Sequence, residues 1–238
     1  MSGREIGIYL ALRKKWRAVV VAGLVVVLCN VIAGAMIGFD DLLFHYSSVG
    51  PKASVVYQGD AWNLSVYSMG WKLLGGFYSP LASFFSTPPP VSSLAPFAPY
   101  AAMSFTLLLT VASLYFALRS RTFDAAFGIL VCASILVNPV AWSHYFTWLL
   151  IPIVVAGRAL YELKFPRFEL RMALLCFLIL IYSWGFVLRF PHSMAQLTVE
   201  PMLLNLLGAL LYLPTFGVFV LMMILVRIDR RSVDRLGS

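Results

Sequence analysis

A proline, a histidine, a serine and an asparagine crowd into the run "VNPVAWSHYFTWLL" at 137–150, between two apolar stretches. Pro139 pushes Asn138 out of the helical region. Ser143 and His144 open the next apolar run beside that break, with Trp142 just before them. His144 and Trp148 stand four residues apart, on one face of a helix. These residue types at this spacing predict a polar pocket at the end of an apolar segment. The same residues also have a plainer reading, because a histidine at a helix end and aromatic residues such as Trp142 and Tyr145 are common anchors at a membrane interface. The chain carries no phosphate-binding glycine loop, no cluster of metal ligands and no nucleophile elbow, so no metal or cofactor is expected.

The elements that would position this run are set by composition. The 238 residues are 61% hydrophobic and 12% charged, with a mean hydropathy of +0.87. A soluble domain carries about twice that charged fraction. Apolar stretches long enough to cross a bilayer recur, and none shows the short alternating pattern of a membrane barrel. The expectation is an all-α, polytopic membrane protein forming one membrane domain over 1–238. Its six spans would lie near 18–39, 97–118, 123–137, 142–160, 172–188 and 202–226. Cys29, Cys132 and Cys176 fall inside apolar runs and read as small buried hydrophobes.

With the N-terminus inside, the inner segments hold Arg4, Arg13, Lys14, Lys15 and Arg17, then Arg119 and Arg121, then Arg158, Lys164, Arg167 and Arg171, and finally Arg227, Arg230, Arg231 and Arg235. Of the 18 basic residues only Lys52, Lys72 and Arg189 are left outside. Short cytoplasmic loops collect positive charge, so this split favours six spans with both termini inside a cell membrane. The net charge of +8 then reports orientation, and nucleic acid is not an expected partner.

Residues 40–96 form a long external segment, with Asp40, Asp41 and His45 in a loop at its start. Within it, Trp62, Val66, Met69 and Leu73 trace one helical face, with Asp60 as cap and Gly75-Gly76 as stop. Such a helix would lie along the membrane surface, with Trp62, Tyr67 and Trp71 at headgroup level. Asn63-Leu64-Ser65 matches a glycosylation sequon. The proline- and serine-rich stretch at 79–96 cannot be regular helix. Arg189 and His192 fall just past the fifth span, Glu200 is a solvated loop charge, and Pro214 would kink the sixth span.

The third span offers about 15 apolar residues, or roughly 22 Å, against a hydrocarbon core of about 30 Å. Asn138-Pro139 should therefore sit at membrane depth. Irregular backbone there must be satisfied by protein or by a water-filled cavity.

"NPVAWSHYFTWLLIP" (138–152) resembles the Ser/Asn-Pro-Ile/Val-x-Trp-x-His-Tyr signature of family 87 glycosyltransferases, membrane enzymes that take mannose from a polyprenol phosphate. "WNLSVYSMGWKLLGG" (62–76) resembles their outer-loop helix, and residues 13–46 resemble the span and outward turn before it. The resemblance covers about 10–225 and corresponds to the C-terminal half of such an enzyme. It implies a GT-C-like architecture and transfer of a mannosyl or hexosyl unit from a polyprenyl-phosphate sugar donor to a lipid or glycan acceptor at the outer membrane face.

In that chemistry a carboxylate removes the acceptor's proton, and hydrogen-bond donors or cations receive the leaving phosphate. By resemblance His144, Asn138 and Ser143 would be such donors, Trp142 would stand beside them, and Arg189 or Lys72 would add charge. The family's general base lies in an earlier external loop. None of Asp40, Asp41 and Asp60 occupies that position, so the base would come from a separate N-terminal half and this chain would be inactive alone. The rival expectation is a non-catalytic membrane subunit or lipid-carrier-binding protein. A transporter fits less well, because no repeat is visible and the break lies toward one face.

Overall fold

The computed structural model describes residues 4–57, 59, 63–75, 93–141, 143–194 and 213–234. The side chains of 4, 54, 143–144, 181–194, 213 and 231–234 are not described. Among these residues the fold is all-helical, with no strand. The elements are α1 (Arg4–Leu12), α2 (Trp16–Ile37), α3 (Phe39–Phe44), a π turn (His45–Val49), α4 (Gly50–Val56) and α5 (Val66–Gly75). A short 3₁₀ turn (Ala95–Phe97) leads into α6 (Ala98–Arg119). Then come α7 (Phe123–Leu136), a 3₁₀ helix (Ser143–Leu149), α8 (Leu150–Glu162), α9 (Arg167–Met194) and α10 (Leu213–Asp234).

α7 is the axis of the assembly, packing against α1, α6, α8, α10 and the 143–149 helix. Its composition explains its place. Ala125, Ala126, Gly128, Cys132, Ala133 and Ser134 are small and let neighbours approach, and every residue from Gly128 to Leu136 is buried. A Cβ on Gly128 would lie 3.0 Å from Leu225 on α10, and one on Gly217 would lie 2.9 Å from Leu180 on α9. Close approach through small residues is how helices associate when no water drives them together. α2 is the opposite case: rich in Val and Leu, it packs chiefly against α1 and α3 and leaves its apolar sides open.

Among the described residues two helices, Trp16–Ile37 and Ala95–Arg119, are long and apolar enough to cross a membrane, while α7 is apolar but shorter. Polar residues in α6 are satisfied locally. Thr106 and Thr110 donate to the carbonyls four residues earlier, and Ser113 donates to Thr110 O. Such back-bonding lets hydroxyls sit in an apolar helix without an unpaired donor.

Several expectations change. The span read as 142–160 is a seven-residue 3₁₀ helix followed by the 13-residue α8. At about 2.0 and 1.5 Å per residue the two could reach roughly 33 Å end to end, so the tighter winding offsets the shortness of α8. The three-residue turn also breaks the register assumed between His144 and Trp148. Asp40, Asp41 and His45 are helical rather than looped, with both aspartates in the first turn of α3, where the helix dipole favours them. The fifth helix continues through Arg189 and His192 to Met194. Pro214 is the second residue of the described α10, and the stretch before Leu213, which a kink there would join, lies outside the described residues. Cys132 and Cys176 are buried as expected, but Cys29 is exposed on α2. Asp60, Trp62, Gly76, Glu200 and most of 79–96 lie outside the described residues.

Candidate functional site

Where α7 ends, the backbone bends through Val137–Val140 before the 143–149 helix begins. Its polar groups are met by a segment more than seventy residues earlier. Asn63, fully buried, donates from Nδ2 to Pro139 O at 2.7 Å and to Tyr57 O at 2.9 Å. Its Oδ1 accepts from Ala141 N at 2.9 Å and Ser65 N at 3.2 Å. Both donors and both acceptor positions of the amide are used. Leu64 N donates to Ala141 O at 2.7 Å, so main chain also pairs with main chain. On the third side Thr215 of α10 donates from Oγ1 to Leu64 O at 2.7 Å. The irregular backbone at the break is therefore satisfied by protein.

Ser65 turns this clasp into the start of α5. Its Oγ accepts from Ser68 N at 3.0 Å, the bond of a helix N-cap. It also reaches Pro139 O at 3.4 Å. Ser65 thus caps the helix in the place expected for Asp60; the expected Gly75-Gly76 stop falls at the edge of the described residues. The helix is packed against α6. Val66, Ser68, Gly70 and Lys72 are all buried, and a Cβ on Gly70 would stand 2.5 Å from the Ala102 backbone of α6. Val66, Met69 and Leu73 do face inward wholly or in part, but so does the polar side.

Lys72, assigned by charge to the outer side, is fully buried in the protein, and its Nζ donates to Asn63 O. Ser68 shares its helix face, one turn away. The Ser68 hydroxyl and the Trp71 indole N–H are buried with no hydrogen-bond partner among the described residues. Unmet polar groups in a protein interior are few and call for an explanation.

The predicted site residues divide. Asn138 and Lys72 meet at this node through Asn63 and the 138–141 bend. Asn138 itself acts locally, its Oδ1 accepting from Val140 N at 3.3 Å in a turn. Ser143 and His144 open the adjoining 3₁₀ helix, and Arg189 lies in α9, but the side chains of all three are outside what is described. Trp142 is outside the described residues altogether. Among the described residues no group of three or more His, Cys, Asp or Glu could hold a metal.

The chain matches no family model, no curated protein and no solved structure. The site therefore rests on its own geometry.

Sequence reasoning missed the central residue. Asn63 read as part of a sequon, yet its burial and four hydrogen bonds leave no amide to glycosylate. The only local signal was the Asn-x-Ser spacing before a helix, which suits an Asx turn running into a cap. Nothing local could reveal its partners at 139 and 141, nor Thr215.

Proposed function

We propose that the chain is a six-span membrane protein of the polyprenyl-phosphate-dependent glycosyltransferase type, and that the node of Asn63, Lys72 and the 138–144 turn receives the phosphate of the lipid-linked sugar. One observation carries this reading. A buried ammonium, Lys72, lies one helical turn from an unpartnered buried hydroxyl, Ser68, against the broken backbone that leads to Ser143 and His144. A cation and waiting donors in a low-dielectric setting suit a phosphate oxygen. The two segments that carry the family resemblance, 62–76 and 138–152, are the ones joined here.

The membrane arrangement has its own support. Arg13 donates to Leu118 O and Ser120 O, Asp229 accepts from Arg121 N and Thr122 N, and Glu169 pairs with Arg227. The segments brought together at that end are those the charge split assigns to the cytoplasm. Leu64, Ala141 and Thr215 meet at the other end. Reporter fusions at Ser48, Ser92 and His192 should read outside, and fusions at Arg121, Lys164 and Ser238 inside. An outside signal at Ser238 refutes six spans.

A second reading has its own observation. The described acids of the external segment, Asp40 and Asp41, stand exposed on α3, which packs chiefly against α2 and the π turn, whereas α5, which carries Lys72, packs chiefly against α6. That favours a lipid-carrier-binding role without general-base chemistry. Incubation of the chain in liposomes with a radiolabelled polyprenyl-phosphate sugar separates the two. Label moved to an acceptor once the N-terminal half of a family 87 glycosyltransferase is added supports the transferase, label held but not moved even then supports carrier binding, and no retention defeats both.

A further inference from the structure

At the Arg227 end, residues of α9 and α10 line a cleft of about 410 Å³, with Phe168, Met172, Met223, Ile224, Arg227 and Arg230 among them. That is the size of a small-ligand pocket. Its walls are apolar and adaptable, because methionine side chains conform to irregular partners. Its charge is gathered at one end. Arg227 is fixed there: its Nε lies 2.7 Å from the buried Glu169 carboxylate, and its guanidinium sits 4.4 Å from the Phe168 ring centroid. Glu169 thus offsets one cation. Arg230, exposed, stays as a second, with Arg167 and Arg171 exposed nearby in sequence on α9. From Met223 to Arg230 the helix rises roughly 10 Å, about the distance from upper acyl chains to headgroups.

We propose that this cleft holds one anionic phospholipid of the inner leaflet, its acyl chain along Met172 and Met223 and its phosphate at Arg227 and Arg230. Basic pockets between membrane helices on the cytoplasmic side take anionic headgroups, and an amphipathic cleft in that position matches both parts of the lipid. The site is separate from the Lys72 node. It rests on the membrane reading but not on sugar transfer.

The test uses the full chain extracted from nanodiscs with equal phosphatidylglycerol and phosphatidylcholine, with retained lipid identified by native mass spectrometry. Wild type should retain phosphatidylglycerol about fivefold over phosphatidylcholine, the scale of one basic residue's attraction to an anionic surface. Arg230→Gln, which leaves the Arg227–Glu169 pair intact, should abolish the preference. Met223→Trp, which fills the cleft, should reduce retention of both lipids. Arg158→Gln, at an exposed pair elsewhere, should change nothing. Equal retention of the two lipids by wild type overturns the proposal, as does indifference to both cleft variants. A doubled mass that Met223→Trp abolishes also overturns it, in favour of a second copy in the cleft. A chain recovered from the aqueous phase without detergent would instead refute the membrane reading itself.

Discussion

At one end of α7 a neutral amide fastens distant segments; at the other, a carboxylate does. Asn63 spends both donors and both acceptor sites on main chain and cap, so the charge at its end is that of Lys72, carried on a neighbouring helix. Asp229 accepts from Arg121 N, Thr122 N and Thr122 Oγ1 at 2.8–3.0 Å, and Arg227 answers Glu169. There the acids are absorbed in holding loops together. The contrast teaches where a ligand's charge can be used. The carboxylates at the Asp229 end are spent on loops and on Arg227, whereas at the other end the satisfied amide holds the break and the buried Lys72 ammonium lies one turn from the Ser68 hydroxyl.

The strongest way to break the comparison is Asn63→Leu. It strands Pro139 O, Ala141 N and Tyr57 O, at about 1–3 kcal/mol for each buried group left unmet. A loss of at least about 3 kcal/mol is expected, seen as a fall of roughly 10 °C in Tm in detergent or as failure to accumulate. A change under 2 °C would mean that water replaces the amide and that the break is wet.

Lys72→Met sharpens it. Removing a buried charge in favour of an apolar side chain of similar length often costs a fold little, so Tm should move far less than for Asn63→Leu. Affinity for polyprenyl phosphate should fall about tenfold or more, measured by lipid capture. His144→Ala should also lower capture about tenfold with Tm unchanged, and His45→Ala should do neither. Unaltered capture by both Lys72→Met and His144→Ala would return both residues to structural roles.

Asp229→Asn is the mildest change. The amide keeps one acceptor oxygen but loses the other, so about 1 kcal/mol of stability should go and lipid capture at the far end should stay as it was. A matching loss of capture would show that the two ends are not independent.

What could be read beforehand follows from the range of each interaction. The long apolar helices and the break at Asn138-Pro139 are written in local composition, and each has its helix or bend in the structure. The shortness of α7, and with it the need for something to satisfy the break, was also legible. Its partner was not, because Asn63 finds Pro139 across 76 residues and only the packing of α5 on α6 at Gly70 brings it there. Charge patterning assigns Lys72 to the outer side but says nothing of its burial, which depends on Asn63 O and the α5–α6 contact. The 3₁₀ winding at 143–149 escaped because apolar periodicity over seven residues does not separate a three-residue turn from a 3.6-residue one.

The most direct test of the lipid-phosphate node is photo-crosslinking with a polyprenyl phosphate that carries a diazirine next to the phosphate, followed by peptide mapping of the full chain in liposomes. The account predicts label within 62–76 and 138–152, displaced by unlabelled polyprenyl phosphate and lost in Lys72→Met. Label confined to α2 or to the cleft at Phe168 and Met223, with 62–76 and 138–152 unmarked, would contradict it.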